Sequence, residues 1–399
     1  MSPTNHQVVV VGGGNAGLAV TARLRRAGIE DIAVVEPSDV HYYQPLWTLV
    51  GGGRAPASAS VRTQASVMPE GAHWVKDRAQ QVDPEARTVT TAGGRQLGYD
   101  QLVVAPGIQL DWERVPGMAE SLETPSVSSN YRFDLAPKTW ERIRALRSGT
   151  AVFTMPAGPI KCAGAPQKIA YLAADHWRRE GVLDRIRVVL VLPTPGMFGV
   201  KVFADELEKV VASYGIEVHK NSELVSVDPD GRRATIRDNA AGTDEDIDYD
   251  VLHVVPPQSA PDWVKSSPLA DPDNPGGYVQ IDKHTMQHTR YPDVFSLGDA
   301  GSSPNSKTGA AIRKQTPVVV ANLLAQRSGR PLEASYGGYA SCPLTTARDR
   351  MLLAEFDYTM QPAPSIPGID TTKPRRDMWY LKRYGLPLLY WNAILTGRA

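Results

Sequence analysis

The sequence predicts an α/β protein with two Rossmann-like dinucleotide-binding domains, the second nested in the first, followed by a C-terminal interfacial segment. A glycine-rich motif at residues 12–17 follows an apolar strand and precedes an amphipathic helix. Apolar strands alternate with helical segments along most of the chain, as in parallel sheets with crossover helices. The scheme Tyr-Asp-x-Leu-x-Val-x-Pro occurs at residues 99–106 and again at 249–256, which indicates a repeated domain.

The amino-acid composition argues against several classes of function. The 399 residues contain 43 Lys and Arg against 43 Asp and Glu, so no overall field attracts nucleic acid, and none is expected as a partner. No apolar run reaches the length of a membrane span. A strand begins almost at the first residue, which predicts no signal or transit peptide. The two cysteines lack the clustered spacing of zinc ligands, so no metal site is predicted.

The first strand, residues 7–11, is a continuous apolar run, as expected of a parallel strand covered on both faces. In the motif after it, Gly12 permits the tight turn, Gly14 lets the backbone approach a pyrophosphate, and Gly17 lets the helix pack on the strand. A second strand ends at Glu36, about 20 residues further on, where a carboxylate can bind a ribose hydroxyl pair. This segment is therefore predicted to bind a dinucleotide.

A long aromatic segment, residues 41–53, follows the second strand and is predicted to be an irregular loop. Such a loop can be a cofactor lid or a packed surface loop. Residues 73–83 and 88–91 are predicted strands of a meander that places the backbone of Ala79 beside the nucleotide base. Asp299 ends a later strand and is expected at the ligand crevice of the sheet.

The second domain is predicted to have its central strand at residues 186–192. The turn after that strand carries Pro193 and Pro195, where a nicotinamide-binding turn has glycines. Proline has no N–H group to hold a phosphate, and its ring hinders close approach. We therefore expect this domain to keep the fold without a tight nicotinamide dinucleotide site.

Cys162 lies between a short buried strand, residues 151–155, and a helix predicted to begin near Pro166. A helix N-terminus and the neighbouring cations Lys161 and Lys168 would stabilise a thiolate. The alternative is a buried structural cysteine. The reactive interpretation is favoured because this context is typical of thiols with a low pKa.

The C-terminal tail interleaves aromatic and apolar residues with Lys382 and Arg383. This composition is typical of an interfacial membrane segment. A helix that covers the core, or a dimer contact, has the same composition, so the sequence leaves these alternatives open.

Three long and unusual strings, at residues 41–51, 159–168 and 341–344, resemble the sulfide:quinone oxidoreductases, in particular the branch that includes the mitochondrial enzymes. The wider superfamily is the flavoproteins with two dinucleotide-binding domains. The resemblance implies FAD, held by the glycine motif and by residues of five later segments: Gly12, Gly14, Asn15, Gly17, Glu36, Gln44, Ala79, Asp299 and Gly309.

The resemblance also implies that Cys162 and Cys342 form a redox-active disulfide beside the flavin. Hydrosulfide would attack Cys342, leave a persulfide there and release Cys162 as the thiolate that supplies electrons to the flavin. The implied partners are hydrogen sulfide, a quinone, and an acceptor of the sulfane sulfur such as sulfite, a thiol or sulfide.

The implied enzyme is a sulfide:quinone oxidoreductase; a type II NADH:quinone dehydrogenase and a flavin-binding sulfur-carrier or electron-transfer subunit are the alternatives. We expect a peripheral protein on a membrane surface, at the cytoplasmic face of a bacterial inner membrane, with a homodimer as one candidate assembly. The expected parts are an FAD-binding domain (1–113 and 285–332), a second Rossmann-like domain carrying Cys162 (114–284), and a C-terminal segment carrying Cys342 (333–399).

Overall fold

A computed structural model describes residues 3–399. The strands are β1 (Thr4–Val11), β2 (Ile32–Val35), β3 (Val40–Tyr42), β4 (Val61–Thr63), β5 (His73–Val75), β6 (Ala79–Asp83), β7 (Thr88–Thr91), β8 (Gln96–Val104), β9 (Gln109–Leu110), β10 (Val127–Ser128), β11 (Gly149–Thr154), β12 (Ile186–Val191), β13 (Glu217–His219), β14 (Ser222–Asp228), β15 (Arg233–Asp238), β16 (Thr243–Asp248), β17 (Val251–His253), β18 (Gln258–Ser259), β19 (Val294–Ser296), β20 (Ala340–Ala347) and β21 (Arg350–Phe356).

Helices connect most of these strands. They are α1 (Asn15–Arg26), α2 (Trp47–Gly51), α3 (Gln64–Val67), α4 (Met118–Ser121), α5 (Leu135–Ala145), α6 (Ala165–Arg179), α7 (Lys201–Tyr214), α8 (Asp262–Lys265), α9 (Gly309–Arg327), α10 (Arg376–Tyr380) and α11 (Leu386–Leu389).

The first sheet has the strand order β5-β2-β1-β8-β7-β6, and β19 also pairs with β8. Strand β1 lies between β2 and β8 with parallel pairing on both sides, and its residues Val8, Val9 and Val10 have no exposed surface. This agrees with the continuous apolar run in the sequence, because both faces of the strand are covered.

The predicted meander is only partly correct. Strands β6, β7 and β8 form it by antiparallel pairing. Residues 73–83 are not one strand, however: β5 pairs in parallel with β2 at the opposite edge of the sheet. The break at residues 76–78 lets the chain cross from one edge to the other, and no apolar pattern marks it.

The second sheet has the order β10-β17-β11-β12-β13, with parallel pairing throughout, and strands β14, β15 and β16 form a separate antiparallel sheet. The repeated sequence scheme occupies equivalent positions, since β8 and β17 are both buried parallel strands next to the first strand of their sheets. The predicted fold class is confirmed, with a Rossmann-like sheet in each half of the chain.

The expected domain boundaries do not coincide with the hydrophobic cores around the two sheets. Ala260, Val264, Leu269 and Tyr278 pack in the core of the first sheet, although the expected division assigns them to the second domain. The hairpin of β20 and β21 packs against the second sheet, with Leu344 in the same core as residues of α6.

The segment at residues 41–53 was predicted to be irregular, and that prediction is wrong. It contains the end of β3, a single turn of 3₁₀-helix at Gln44–Leu46, and α2. Pro45 suits the start of a turn because its φ angle is fixed. Leu46 and Leu49 are fully buried, so tertiary packing supports a helix too short to be stable alone.

The C-terminal tail is a helical segment from Arg376 to Ile394 in which α10 and α11 alternate with π-helical turns at Leu381–Gly385 and Tyr390–Ile394. Pro387 lacks the N–H group of a regular helix, which explains part of this irregularity. None of the helices described within residues 3–399 is long and apolar enough to cross a membrane.

Candidate active site

The glycine motif forms a tight loop between β1 and α1. Gly12 has φ +103°, and a Cβ atom there would lie 2.3 Å from the carbonyl oxygen of Ala105. A Cβ atom on Gly17 would lie 1.8 Å from the carbonyl oxygen of Gly12. A Cβ atom on Gly14, by contrast, would meet no protein atom within 4 Å. The fold therefore requires glycine at positions 12 and 17, where a side chain would overlap a backbone oxygen. Gly14 leaves its backbone accessible, as the binding of a pyrophosphate requires.

Glu36 fixes this loop from the end of β2. One of its carboxylate oxygens accepts a hydrogen bond from the N–H of Gly13 at 2.8 Å, and the other accepts one from the N–H of Ser38 at 2.8 Å. Each oxygen keeps a second lone pair, so the carboxylate can still accept from ribose hydroxyl groups. The backbone N–H of Glu36 donates to the carbonyl of Val75, four residues before Ala79 begins β6.

Two helix N-termini meet beside the loop. A Cβ atom on Gly309, the first residue of α9, would lie 3.4 Å from Asn15 Nδ2 at the start of α1. Asn15 Oδ1 is buried and has no hydrogen-bond partner. Helix N-termini favour anions, so this corner suits a phosphate group to which Asn15 can donate through Nδ2, while its Oδ1 can accept from a hydroxyl group of the dinucleotide.

Asp299 follows β19 at the same crevice. Burial raises the pKa of its carboxyl group, and the nearby cations Lys307 and Lys161 oppose that rise. Lys307 Nζ also donates to the backbone carbonyl of Asp299 at 2.7 Å. The open backbone at Gly14, the orphaned amide oxygen and the crevice carboxyl group fit a flavin dinucleotide.

The cysteine loop lies directly before α6, as predicted. Cys162 has φ +52°, a left-handed conformation that costs a residue other than glycine about 1 kcal/mol or more. Its N–H donates to the carbonyl of Lys307 at 2.8 Å, and the Tyr131 hydroxyl donates to the carbonyl of Lys161 at 3.1 Å. These hydrogen bonds therefore hold Cys162 in a backbone conformation that is otherwise unfavourable for a residue with a side chain.

Lysines control the charge of Cys162. Burial raises the pKa of the thiol, but Lys168, whose Nζ donates to Sγ at 3.1 Å, and the more remote Lys382 outweigh this and lower it below its ordinary value. The predicted low-pKa setting is therefore confirmed. The predicted contribution of Lys161 is less direct, because its Nζ donates to Gln44 Oε1 at 2.8 Å instead.

Cys342 has the opposite character. It lies in β20 opposite Ala354 and is 1% exposed. Burial and then the negative charge of Cys162 raise the pKa of its thiol to about 12. Both cysteines are free in this structure. The fold thus brings together two residues 180 positions apart in sequence, one an acidic thiol and the other a neutral one.

Lys382 is a site residue that sequence analysis missed. It is 2% exposed, its Nζ donates to the carbonyl of Pro45 at 2.8 Å, and burial and then the charge of Lys168 lower its pKa to about 7. The thiolate charges of both cysteines act on it in the opposite direction. The only signal was a basic pair in an aromatic tail, a composition that left open whether the tail is exposed or covers the core.

The tail also reaches the glycine loop. His41 Nε2 lies 2.6 Å from the Tyr390 hydroxyl, and His41 Nδ1 lies 3.1 Å from the carbonyl of Gly13. Burial lowers the pKa of His41, so the ring is neutral. Nδ1 faces a carbonyl and must carry the proton, so Nε2 accepts from Tyr390. The C-terminal tail therefore supports both the cysteine loop and the dinucleotide loop.

These features define a flavoprotein with two dinucleotide-binding domains and a cysteine pair beside the cofactor crevice. Residues 6–314 match the family model described as pyridine nucleotide-disulphide oxidoreductase. FAD is the cofactor, as predicted.

Relatives identify the branch. The mitochondrial sulfide:quinone oxidoreductase of Mus musculus is 41% identical over 98% of this chain and 87% of its own length. That of Dictyostelium discoideum is 41% identical over 98% of this chain and 86% of its own length. The chain therefore belongs to the sulfide:quinone oxidoreductase family, and it is an enzyme.

A solved structure agrees on the fold. The sulfide:quinone oxidoreductase from the bacterium Aquifex aeolicus aligns with a TM-score of 0.83 over 99% of this chain and 92% of that chain, at 19% identity. The family predicted from the three sequence strings and the two-domain fold are both confirmed. The assignments of individual residues to FAD and to the two redox cysteines stay predictions.

Proposed function

We propose that this protein oxidises hydrogen sulfide to protein-bound sulfane sulfur through a Cys162–Cys342 redox disulfide and passes the electrons through FAD to a membrane quinone. The observation that carries the proposal is the unequal thiol pair. An acidic thiol next to Lys168 packs against the same core cluster as a buried neutral thiol, close enough for the charge of one to act on the other. The names of the relatives supply the substrates.

The unequal pair decides which sulfur leaves. Hydrosulfide attacks Cys342 Sγ, the disulfide bond breaks, and Cys342 becomes a persulfide while Cys162 departs as a thiolate. The thiol with the lower pKa is the better leaving group, and Lys168 is already placed to hold its charge. Attack at Cys162 instead would expel a thiolate at Cys342, whose pKa of about 12 makes it a poor leaving group.

The second half of the cycle restores the disulfide. A sulfane-sulfur acceptor, such as sulfite, a thiol or sulfide, attacks the outer sulfur of the persulfide, and the persulfide proton passes to Cys342, which leaves as a thiol. Lys168 and Lys382 continue to offset the negative charge of Cys162. The two sulfurs then re-form their bond and release two electrons. FAD, when bound, would supply the two-electron acceptor between the thiol pair and the quinone.

The predicted FAD contacts form part of the proposal. Gly14, Asn15 and Gly309 would hold the pyrophosphate, and Glu36 the ribose. Gln44 is linked to the cysteine loop through Lys161, so its role would be to join the cofactor segment to the redox pair. We also keep the three-part domain division as a proposal, with residues 260–281 packed on the first sheet.

We further propose that the protein is peripheral to a membrane, at the cytoplasmic face of a bacterial inner membrane, and that the tail lies near the entry of the quinone. The exposed aromatic residues of the tail support this proposal.

The test is an anaerobic titration of the purified protein while the flavin absorbance is followed. Sulfide should bleach the flavin, and a soluble quinone should restore its colour with multiple turnovers. NADH should not bleach it, because Pro193 and Pro195 occupy the turn after β12. Fast bleaching by NADH would favour the dehydrogenase alternative, and single-turnover reduction without quinone activity would favour the carrier-subunit alternative.

A further inference from the structure

The tail exposes a row of large apolar side chains. Tyr380, Tyr384 and Leu388 are 59%, 52% and 64% exposed, the largest values among the exposed large hydrophobic residues described. They are spaced four residues apart, and the rings of Tyr380 and Tyr384 stack with their centroids 6.3 Å apart. Residues at this spacing share one face of a helix. Trp379, whose ring packs against both tyrosines, and Tyr390 are buried beneath this row.

Three arginines from distant parts of the chain gather beside this row. Arg383 Nε donates to the carbonyl of Arg54 at 2.9 Å, and Arg54 Nε donates to the carbonyl of Arg348 at 3.3 Å. Burial and then the charges of Arg348 and Arg383 lower the pKa of Arg54. Like charges at such short range are unfavourable unless an anion offsets them. We call this group the arginine triad.

The guanidinium groups of the triad have no direct anionic partner among the described residues; the charge of Asp175, which pairs with Arg179, acts on Arg54 without a salt bridge. None of its guanidinium groups forms a salt bridge within residues 3–399, whereas Arg375 and Arg376 of the same tail pair with Asp377 and Asp349. Each guanidinium carries five N–H donors, of which the two backbone contacts use one on Arg54 and one on Arg383. The remaining donors are available to an external acceptor.

Aromatic rings tie the triad to the apolar row. The Arg54 guanidinium lies 5.7 Å from the centre of the Trp379 ring, and that of Arg383 lies 4.9 Å from the centre of the Tyr384 ring. Cations and exposed aromatic side chains therefore form one continuous surface. This is the arrangement of an interfacial helix, in which rings lie at the headgroup level and guanidinium groups meet phosphates.

We propose that the arginine triad binds the phosphate headgroups of anionic phospholipids while Tyr380, Tyr384 and Leu388 enter the membrane interface. This inference rests on the proposed peripheral attachment and adds a lipid preference to it. A second copy of the chain fits the surface less well, because a two-fold contact sets like patches, and here like charges, against each other. An anionic leaflet supplies the charge that the triad lacks.

The experiment measures flotation of the full-length FAD-loaded protein with vesicles of phosphatidylcholine alone and of phosphatidylcholine mixed with phosphatidylglycerol. Wild type should bind the mixed vesicles more tightly, and high salt should remove the difference. Arg348→Gln should weaken binding to the mixed vesicles about fivefold, which corresponds to about 1 kcal/mol for one basic residue at the surface. Replacing all three arginines with Gln should weaken it about 100-fold and leave binding to neutral vesicles unchanged.

Arg233→Gln is the matched control, since it removes the same charge from β15, where Arg233 pairs with Asp248. Equal binding of wild type to both vesicles, or an equal loss in the control, would overturn the lipid preference and leave peripheral attachment standing. No binding to either vesicle would overturn the attachment as well. A dimer in sedimentation velocity that Leu388→Ser dissociates would assign the surface to a second copy instead. The reduction of the flavin by sulfide is measured separately and does not depend on any of these outcomes.

Discussion

The replacement of Lys168 by Met tests the source of acidity at Cys162. Methionine is an unbranched side chain one atom shorter than lysine; it fills most of the same buried space but removes the charge and the donor that lies 3.1 Å from Sγ. A hydrogen bond to a charged group contributes about 1.5–3 kcal/mol. The loss should therefore lower the ratio of thiolate to thiol at a given pH by about 10- to 150-fold.

The direction of the change in the pKa of Cys162 follows from the opposing effects of burial and of the lysines. Burial alone raises the pKa of Cys162, and only the lysines lower it. Without Lys168, the thiolate should form at higher pH than in the wild type. Lys382 remains, and its pKa should rise in this variant because the like charge of Lys168 is gone, so it can offset only part of the loss. Sulfide oxidation by Lys168→Met should therefore be slower, because the leaving thiolate is less stable.

The assay is the ultraviolet absorbance of the thiolate against pH, in the reduced protein and on a Cys342→Ser background, so that only one cysteine titrates. Lys201→Met is the control, since Lys201 is a surface residue paired with Asp205. The control should titrate like the wild type. A change of less than about twofold in the thiolate ratio for Lys168→Met, or an equal change in the control, would show that Lys168 is not the source of the low pKa of Cys162.

Three further predictions concern the dinucleotide loop. Gly17→Ala should destabilise the fold by about 1–3 kcal/mol or more, since its Cβ would overlap a backbone oxygen. Gly14→Ala should leave thermal unfolding of the apoprotein unchanged and weaken FAD binding. The reverse pattern would contradict the roles assigned to the two glycines. Glu36→Arg should release FAD during gel filtration, because it removes the acceptor for Gly13 and the ribose, and full retention would count against it. Tyr390→Phe should lower the free energy of unfolding in urea by about 1–3 kcal/mol by leaving a buried nitrogen of His41 unpaired, and an unchanged midpoint would refute that hydrogen bond.

Local patterns in the sequence predicted the parts of the site that neighbouring residues determine. Three features depend on spacing along a short stretch of chain: the glycine motif, Glu36, and the position of Cys162 before α6. Such spacings are similar in different proteins that share the strand-turn-helix unit. The low pKa of Cys162 was also accessible, because Lys168 lies six positions away on the first turn of the following helix.

The rest depends on contacts between distant segments. Lys382 bonds to a carbonyl 337 positions away, and Tyr390 bonds to a histidine 349 positions away. The composition of the tail fits a surface, a core and a dimer contact equally well, so no local signal could show that one face is buried against the redox centre. In the structure one part of the tail is buried and another is exposed, with Lys382 in the interior and Tyr384 on the surface.

The redox roles of the two cysteines are tested by the absorbance spectra of Cys162→Ser and Cys342→Ser, each with FAD bound, before and after addition of sulfide. Both variants should lose efficient sulfide oxidation. Cys342→Ser should retain a thiolate held by Lys168 and show a long-wavelength charge-transfer band with the flavin, whereas Cys162→Ser, left with a thiol whose pKa is raised by burial, should show none. A band in Cys162→Ser alone would reverse the two roles, and near-normal turnover in either variant would contradict the disulfide mechanism.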